Sequence, residues 1–84
     1  MITNQDRAEI AAYITERDEV VRSLDVDRVI AFHKKHNPRG PGFSTRHVAE
    51  IAMHNTRLHI NALTEPEKEI SRAWLRSHGY SVDY

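Results

Sequence analysis

The sequence predicts an all-α fold, a small domain built from four helices. Three observations carry that expectation. Apolar residues recur at three- and four-residue intervals along most of the chain, the spacing of one helix face. Residues suited to helix starts and stops punctuate those stretches at matching places. The chain has 84 residues, 39% of them hydrophobic and 29% charged, which suits one small core and excludes a second domain beside it.

Residues 4–24 read as a long amphipathic helix. Ile10, Ile14, Val21 and Leu24 recur at helical spacing, and Tyr13 and Val20 widen the face. Thr3 can cap it, with Asp6 at the third helical position near the positive end of the dipole. Arg17 interrupts the apolar stripe, either snorkelling to water or marking a partner contact. A second helix is expected from Asp25 to about His36. Val26, Val29, Ile30 and His33 line its inner face, with Phe32 at the edge. It must stop near Asn37, because the residue before Pro38 is pushed out of the α region.

The run from Asn37 to Gly42 holds two prolines and two glycines in six residues and reads as a loop, with Arg39 at its tip and Phe43 anchoring its far end. Ser44 then caps a third helix of about residues 45–55. Val48, Ile51 and Ala52 are expected inside, and Arg46, His47, Glu50 and His54 outside. Residues 56–63 either extend that helix or form a separate turn. The fourth helix is the best marked. Thr64 and Glu67 form a capping box with Pro66 between them. Ile70, Ala73, Trp74 and Ser77 are read as its inner face, and Gly79 as the glycine of a Schellman end, setting Tyr80 against Leu75. The alternating residues 80–84 read as a short C-terminal strand or an ordered tail. The chain is thus expected to form one helical unit over residues 1–84, with 1–24 as an interaction helix and 25–84 as the core.

Composition excludes several classes. There is no cysteine, so neither a disulfide framework nor a thiolate metal site can form. No apolar run approaches the roughly 20 residues that span a bilayer, and the first residues lack the basic and apolar regions of a signal peptide. A cytoplasmic, soluble protein is the expectation. The serines lack a glycine-framed nucleophile elbow, so the chain is not expected to be an enzyme. His47, Glu50 and His54 lie at i, i+3 and i+7, and His33 and His36 at i, i+3. No standard metal-binding spacing is present, so neither metal nor cofactor is expected.

Twelve bases balance twelve acids, but unevenly. Residues 1–30 carry seven acids and four bases, residues 31–62 five bases and one acid, and residues 63–84 three bases and four acids. Five of the six histidines also fall in the middle block. A basic centre between acidic ends is either an anion-facing surface or ordinary solvated charge.

The stretch Ser44 to Ala52, with Ala49 at the small position, resembles the first helix of a helix-turn-helix pair; Met53 stands where that family places its turn glycine. The stretch Ile70 to Tyr80 resembles the closing helix of a winged-helix domain, ending in a glycine–aromatic turn. The resemblance covers about residues 26–82 and implies a regulator that binds double-stranded DNA. On that reading Lys34, Lys35, Arg39, Arg46 and Arg57 contact phosphates. Lys68, Arg72 and Arg76 form a stripe that enters the groove, with Arg72 reading bases. The alternative is a protein-interaction module, a possible homodimer or a phage-type inhibitor that masks a partner. Its contact face is the first helix: Tyr13, Arg17, Val20 and Val21.

Overall fold

The computed structural model describes residues 2–82 and contains four α-helices: α1 Asn4–Arg22, α2 Val26–His36, α3 Arg46–His59 and α4 Glu65–Ser77. Among the described residues there is no strand, and residues 80–82 have no regular secondary structure; residues 83 and 84 of the expected strand lie outside the described residues. No described helix is long and apolar enough to cross a membrane.

The helix ends follow local chemistry. Thr3 Oγ1 accepts the Asp6 N–H at 3.1 Å and Asp6 Oδ2 accepts the Thr3 N–H at 3.0 Å, a closed capping box. Asp25 caps α2 by accepting from the N–H groups of Asp27 and Arg28. Thr64 and Glu67 close a second capping box at the start of α4. The end of α4 is a full Schellman motif. Gly79 sits at φ +82°, its N–H donates to Arg76 O at 3.0 Å, and the Tyr80 N–H donates to Leu75 O at 2.9 Å. The chain leaves α1 through Leu24 at φ +59°, a left-handed conformation unusual for a branched side chain.

Three expectations need correction. The cap of α3 is Thr45, whose Oγ1 accepts the Val48 N–H at 3.1 Å, not Ser44. The buried face of α3 is Ala49, Met53, His54, Arg57 and Leu58, while Val48 is exposed, so His54 points in rather than out. On α4 the buried positions are Ser71 and Leu75; Ile70, Ala73 and Ser77 are exposed, and Trp74 is half-buried. In both helices the inward face accepts polar side chains that bond to one another, which an apolar-periodicity reading cannot register. Helix α3 also runs on through Met53 to His59, so helix occupies the place where a helix-turn-helix pair would turn.

One apolar cluster joins α1, α2, α3 and the link that leads to α4. Val20 and Val21 of α1, Val26 and Val29 of α2, and Ala49 and Met53 of α3 pack with Ile60 and Leu63 of the α3–α4 link. Ile30, Phe32 and Phe43 seal its edge, so Phe43 anchors the loop as expected. Helix α2 runs back along α1 only part of the way. Phe32 and His36, near its end, meet Tyr13 at ring-centroid distances of 5.3 and 4.8 Å. The 19 residues of α1 outreach the 11 of α2, and at 1.5 Å per residue the excess is about 12 Å.

Candidate interaction surfaces

Consider first the cations. Arg57 is 1% exposed. Its Nε donates to Ser71 Oγ at 2.7 Å, its Nη1 to Val21 O at 3.0 Å and its Nη2 to Glu67 O at 2.7 Å. A longer contact reaches Arg22 O at 3.4 Å. One planar guanidinium therefore ties the carbonyl end of α1 to α3 and α4, and the negative pole of α1 helps to balance its charge. Burial pulls its pKa down from the ordinary value, with Glu67 opposing. A phosphate cannot reach this group in the folded chain, which removes Arg57 from the expected phosphate contacts.

Ser71 holds His54 as well, with Oγ 2.9 Å from Nδ1. Arginine can only donate, so Ser71 Oγ accepts from Arg57 and has one hydrogen to give. Giving it to Nδ1 makes His54 a neutral imidazole with its proton on Nε2. Burial, reinforced by the Arg57 charge, pushes the His54 pKa down to about 4. The Trp74 ring stacks on His54 at 4.3 Å, and His78 stacks on Trp74 at 4.0 Å. His47 meets the Tyr80 hydroxyl at 2.8 Å. The histidines and Glu50 that shared a helical spacing thus do not converge, and no described group of three His, Cys, Asp or Glu side chains could hold a metal ion.

The other basic candidates are at the surface, most of them beside acids. Lys35 meets Glu16 at 2.8 Å and His36 meets it at 3.1 Å, holding that carboxyl below the usual range. Arg46 pairs with Asp27. Arg72 binds Glu65 at 3.1 Å and Glu69 at 3.2 Å, and Arg76 binds Glu69 at 3.3 Å. Lys68 lies half-buried on α4. Lys34 lines a cleft of about 480 Å³ with Ile30, His33, Phe43 and Arg46, and Arg39 stands exposed on the neighbouring loop. Exposed ion pairs are worth about 0–1 kcal/mol, so a phosphate could displace each acid from its arginine. The acids would still stand beside the phosphate and repel it.

The apolar surface has a different layout. Val20 and Val21 are buried in the core, at 5% and 4% exposure, so these two expected partner contacts are unavailable to a partner. Their stripe continues towards the N-terminus past the end of the core. Residues 2–15 are all exposed, among them Ile2 at 60%, Ile10 at 51%, and Tyr13 and Ile14 at 40% each. Ile2, Asp6, Glu9, Ile10 and Tyr13 line one shallow concavity. Arg17, half-buried, keeps Asp18 through Nε and Nη2 and borders a narrow groove of about 150 Å³ with Tyr13, Phe32 and Met53. Periodicity correctly placed Ile10 and Ile14 on the Val21 side of the helix; what it missed is that no other described element extends far enough to cover them. The signal was the unequal lengths of the first two helices.

No family model matches the chain, and no curated protein or solved structure is significantly similar to it.

Proposed function

We propose that this chain is a non-enzymatic protein-binding module whose docking element is the N-terminal half of α1. The observation that carries the reading is the apolar stripe that leaves the core. Ile10 and Ile14 point the way Val21 points, yet half of each side chain is in water. Each fully buried aliphatic side chain is worth about 1.5–3 kcal/mol. A partner that covers the stripe recovers the uncollected part of that stabilisation. An amphipathic helix seated in or against another helical surface is a common form of protein recognition. A short projecting helix is also marginal on its own, and contact with a partner would hold it.

The DNA-binding reading draws less support. The basic side chains of α4 are flanked by Glu65 and Glu69, Arg46 and Lys35 by Asp27 and Glu16, and Arg57 is inside. The N-terminus of α4, the end that would approach a phosphate, carries Glu65 and Glu67 in its first turn.

A photo-cross-linking residue at position 10, compared with one at position 34 in cells expressing the chain, tests the proposal. Discrete protein adducts from position 10 are expected. Nucleic-acid adducts from position 34, with none of protein from position 10, would overturn it.

A further inference from the structure

We infer that α1 pairs antiparallel with α1 of a second copy of this chain, in the register that sets Asp6 of each copy against Arg17 of the other. The inference rests on the docking reading of α1 and names the occupant.

Asp6, Ile10, Tyr13 and Arg17 are spaced four, three and four residues apart, the spacing of a helix–helix seam. They lie along the direction in which Val20 and Val21 enter the core, so the seam is the outward continuation of the buried face. The four positions are symmetric about the midpoint between residues 11 and 12. Turning the helix end for end carries Asp6 onto Arg17 and Ile10 onto Tyr13. Two copies packed antiparallel therefore place an acid against a base at each end, and an isoleucine against a tyrosine twice in the middle. A parallel pair would set acid on acid and base on base, so the charge pattern selects both the orientation and the identity of the partner.

The atoms at both ends suit this arrangement. Asp6 uses Oδ2 for its cap, which leaves Oδ1 to accept. Arg17 gives Nε and Nη2 to Asp18, which leaves Nη1 to donate. The same helix faces bring Glu9 of one copy towards Glu16 of the other, where repulsion would be expected. Lys35 and His36 already balance Glu16. Tyr13 is backed by Phe32 and His36, so the second copy's Ile10 meets a supported aromatic surface. Tyr13 and Arg17 of the seam themselves line the narrow groove with Phe32 and Met53, and the start of the second copy's helix would rest over its mouth. Overlap from residue 6 to residue 17 is about three turns, a contact at the small, weak end of protein interfaces.

The test uses the full chain in sedimentation equilibrium. The wild type should show a concentration-dependent mass approaching that of a dimer. Arg17→Asp leaves the cap intact and should weaken association about tenfold or more, since two attractive contacts become repulsive. Asp6→Arg should do the same, and the double variant Asp6→Arg/Arg17→Asp should restore association. Helix content by circular dichroism separates this from loss of fold. The chain has no cysteine, so a mixture of Ile10→Cys and Tyr13→Cys chains reports the register directly. The mixed disulfide should form faster than either like pair. A wild type that stays monomeric at millimolar concentration would overturn the inference, while protein adducts from position 10 in cells would leave the docking reading standing. A dimer indifferent to Arg17→Asp, or not restored by the double variant, would overturn it as well.

Discussion

Replacing Arg57 by alanine should be among the most damaging single changes in the chain. The substitution removes three short hydrogen bonds, to Ser71 Oγ, Val21 O and Glu67 O, from a site at 1% exposure. At about 1 kcal/mol net for each bond these account for about 3 kcal/mol. The emptied side-chain volume adds roughly 1–2 kcal/mol. The expected loss is therefore about 4–5 kcal/mol, comparable with the whole stability of a chain this size at roughly 0.05–0.15 kcal/mol per residue. Urea denaturation followed by tryptophan fluorescence and circular dichroism measures it. The midpoint should collapse or the chain should be unfolded in buffer. Arg57→Lys should lose about half as much, because one ammonium keeps the charge but cannot span acceptors on three elements. If Arg57 were a solvated phosphate contact, neither variant would change stability. A loss below about 1 kcal/mol for Arg57→Ala would refute the buried-tie argument.

Three further predictions follow from the same core and its caps. His54 is held neutral with its pKa pushed down to about 4, below its ordinary value of about 6.5. The unfolded chain therefore takes up the proton first. Stability should be pH-independent from this group above about 7 and fall by roughly 3 kcal/mol as pH drops from 6.5 towards 4; urea midpoints across that window should show it, and His54→Gln should flatten the slope. Trp74 is only half-buried but sandwiched between His54 and His78, so Trp74→Ala should lose about 2 kcal/mol, less than the 3–5 kcal/mol of a fully buried indole. Opening His54 to water should also bring its pKa back towards the ordinary value, which NMR titration would read. Gly79 sits at φ +82° with open space around the missing Cβ, so Gly79→Ala should cost about 1 kcal/mol through backbone conformation alone. Gly42→Ala, also in open space and not at a left-handed φ, should be nearly neutral by the same urea denaturation.

The four-helix architecture was legible because its boundaries are written locally. Thr3 with Asp6, Asp25, Thr64 with Glu67, and Gly79 each fix a helix end through hydrogen bonds within a few residues. The faces of α3 and α4 were not legible in the same way. His54, Arg57 and Ser71 are polar residues buried as a mutually bonded set, and their burial depends on α1 and α4 arriving together from distant parts of the chain. Apolar spacing assigns such residues to solvent by default. The candidate surfaces divided along the same line. Arg57 counted as surface charge when it is interior. The partners of Arg46, Lys35 and Arg72 became visible only when Asp27, Glu16 and Glu65 came into range in the fold. Of the residues expected to form a contact face on the first helix, Tyr13 is exposed and Val20 and Val21 are not. Val20 and Val21 belong to the core, and the exposed stripe is Ile2, Ile10, Tyr13 and Ile14.

On the proposed function, the projecting half of α1, and not the basic block, is the surface that meets a partner. An amide-resolved NMR experiment on the labelled chain tests it most directly. The chain is first raised from micromolar to millimolar concentration, then titrated with random-sequence duplex DNA at low salt. Shifts confined to residues 2–17 are expected in the first series, with no saturable shifts at Lys34, Arg39, Arg46 or Arg72 in the second. Shifts gathering on those basic positions with DNA, and none on α1 with concentration, would contradict the proposed function.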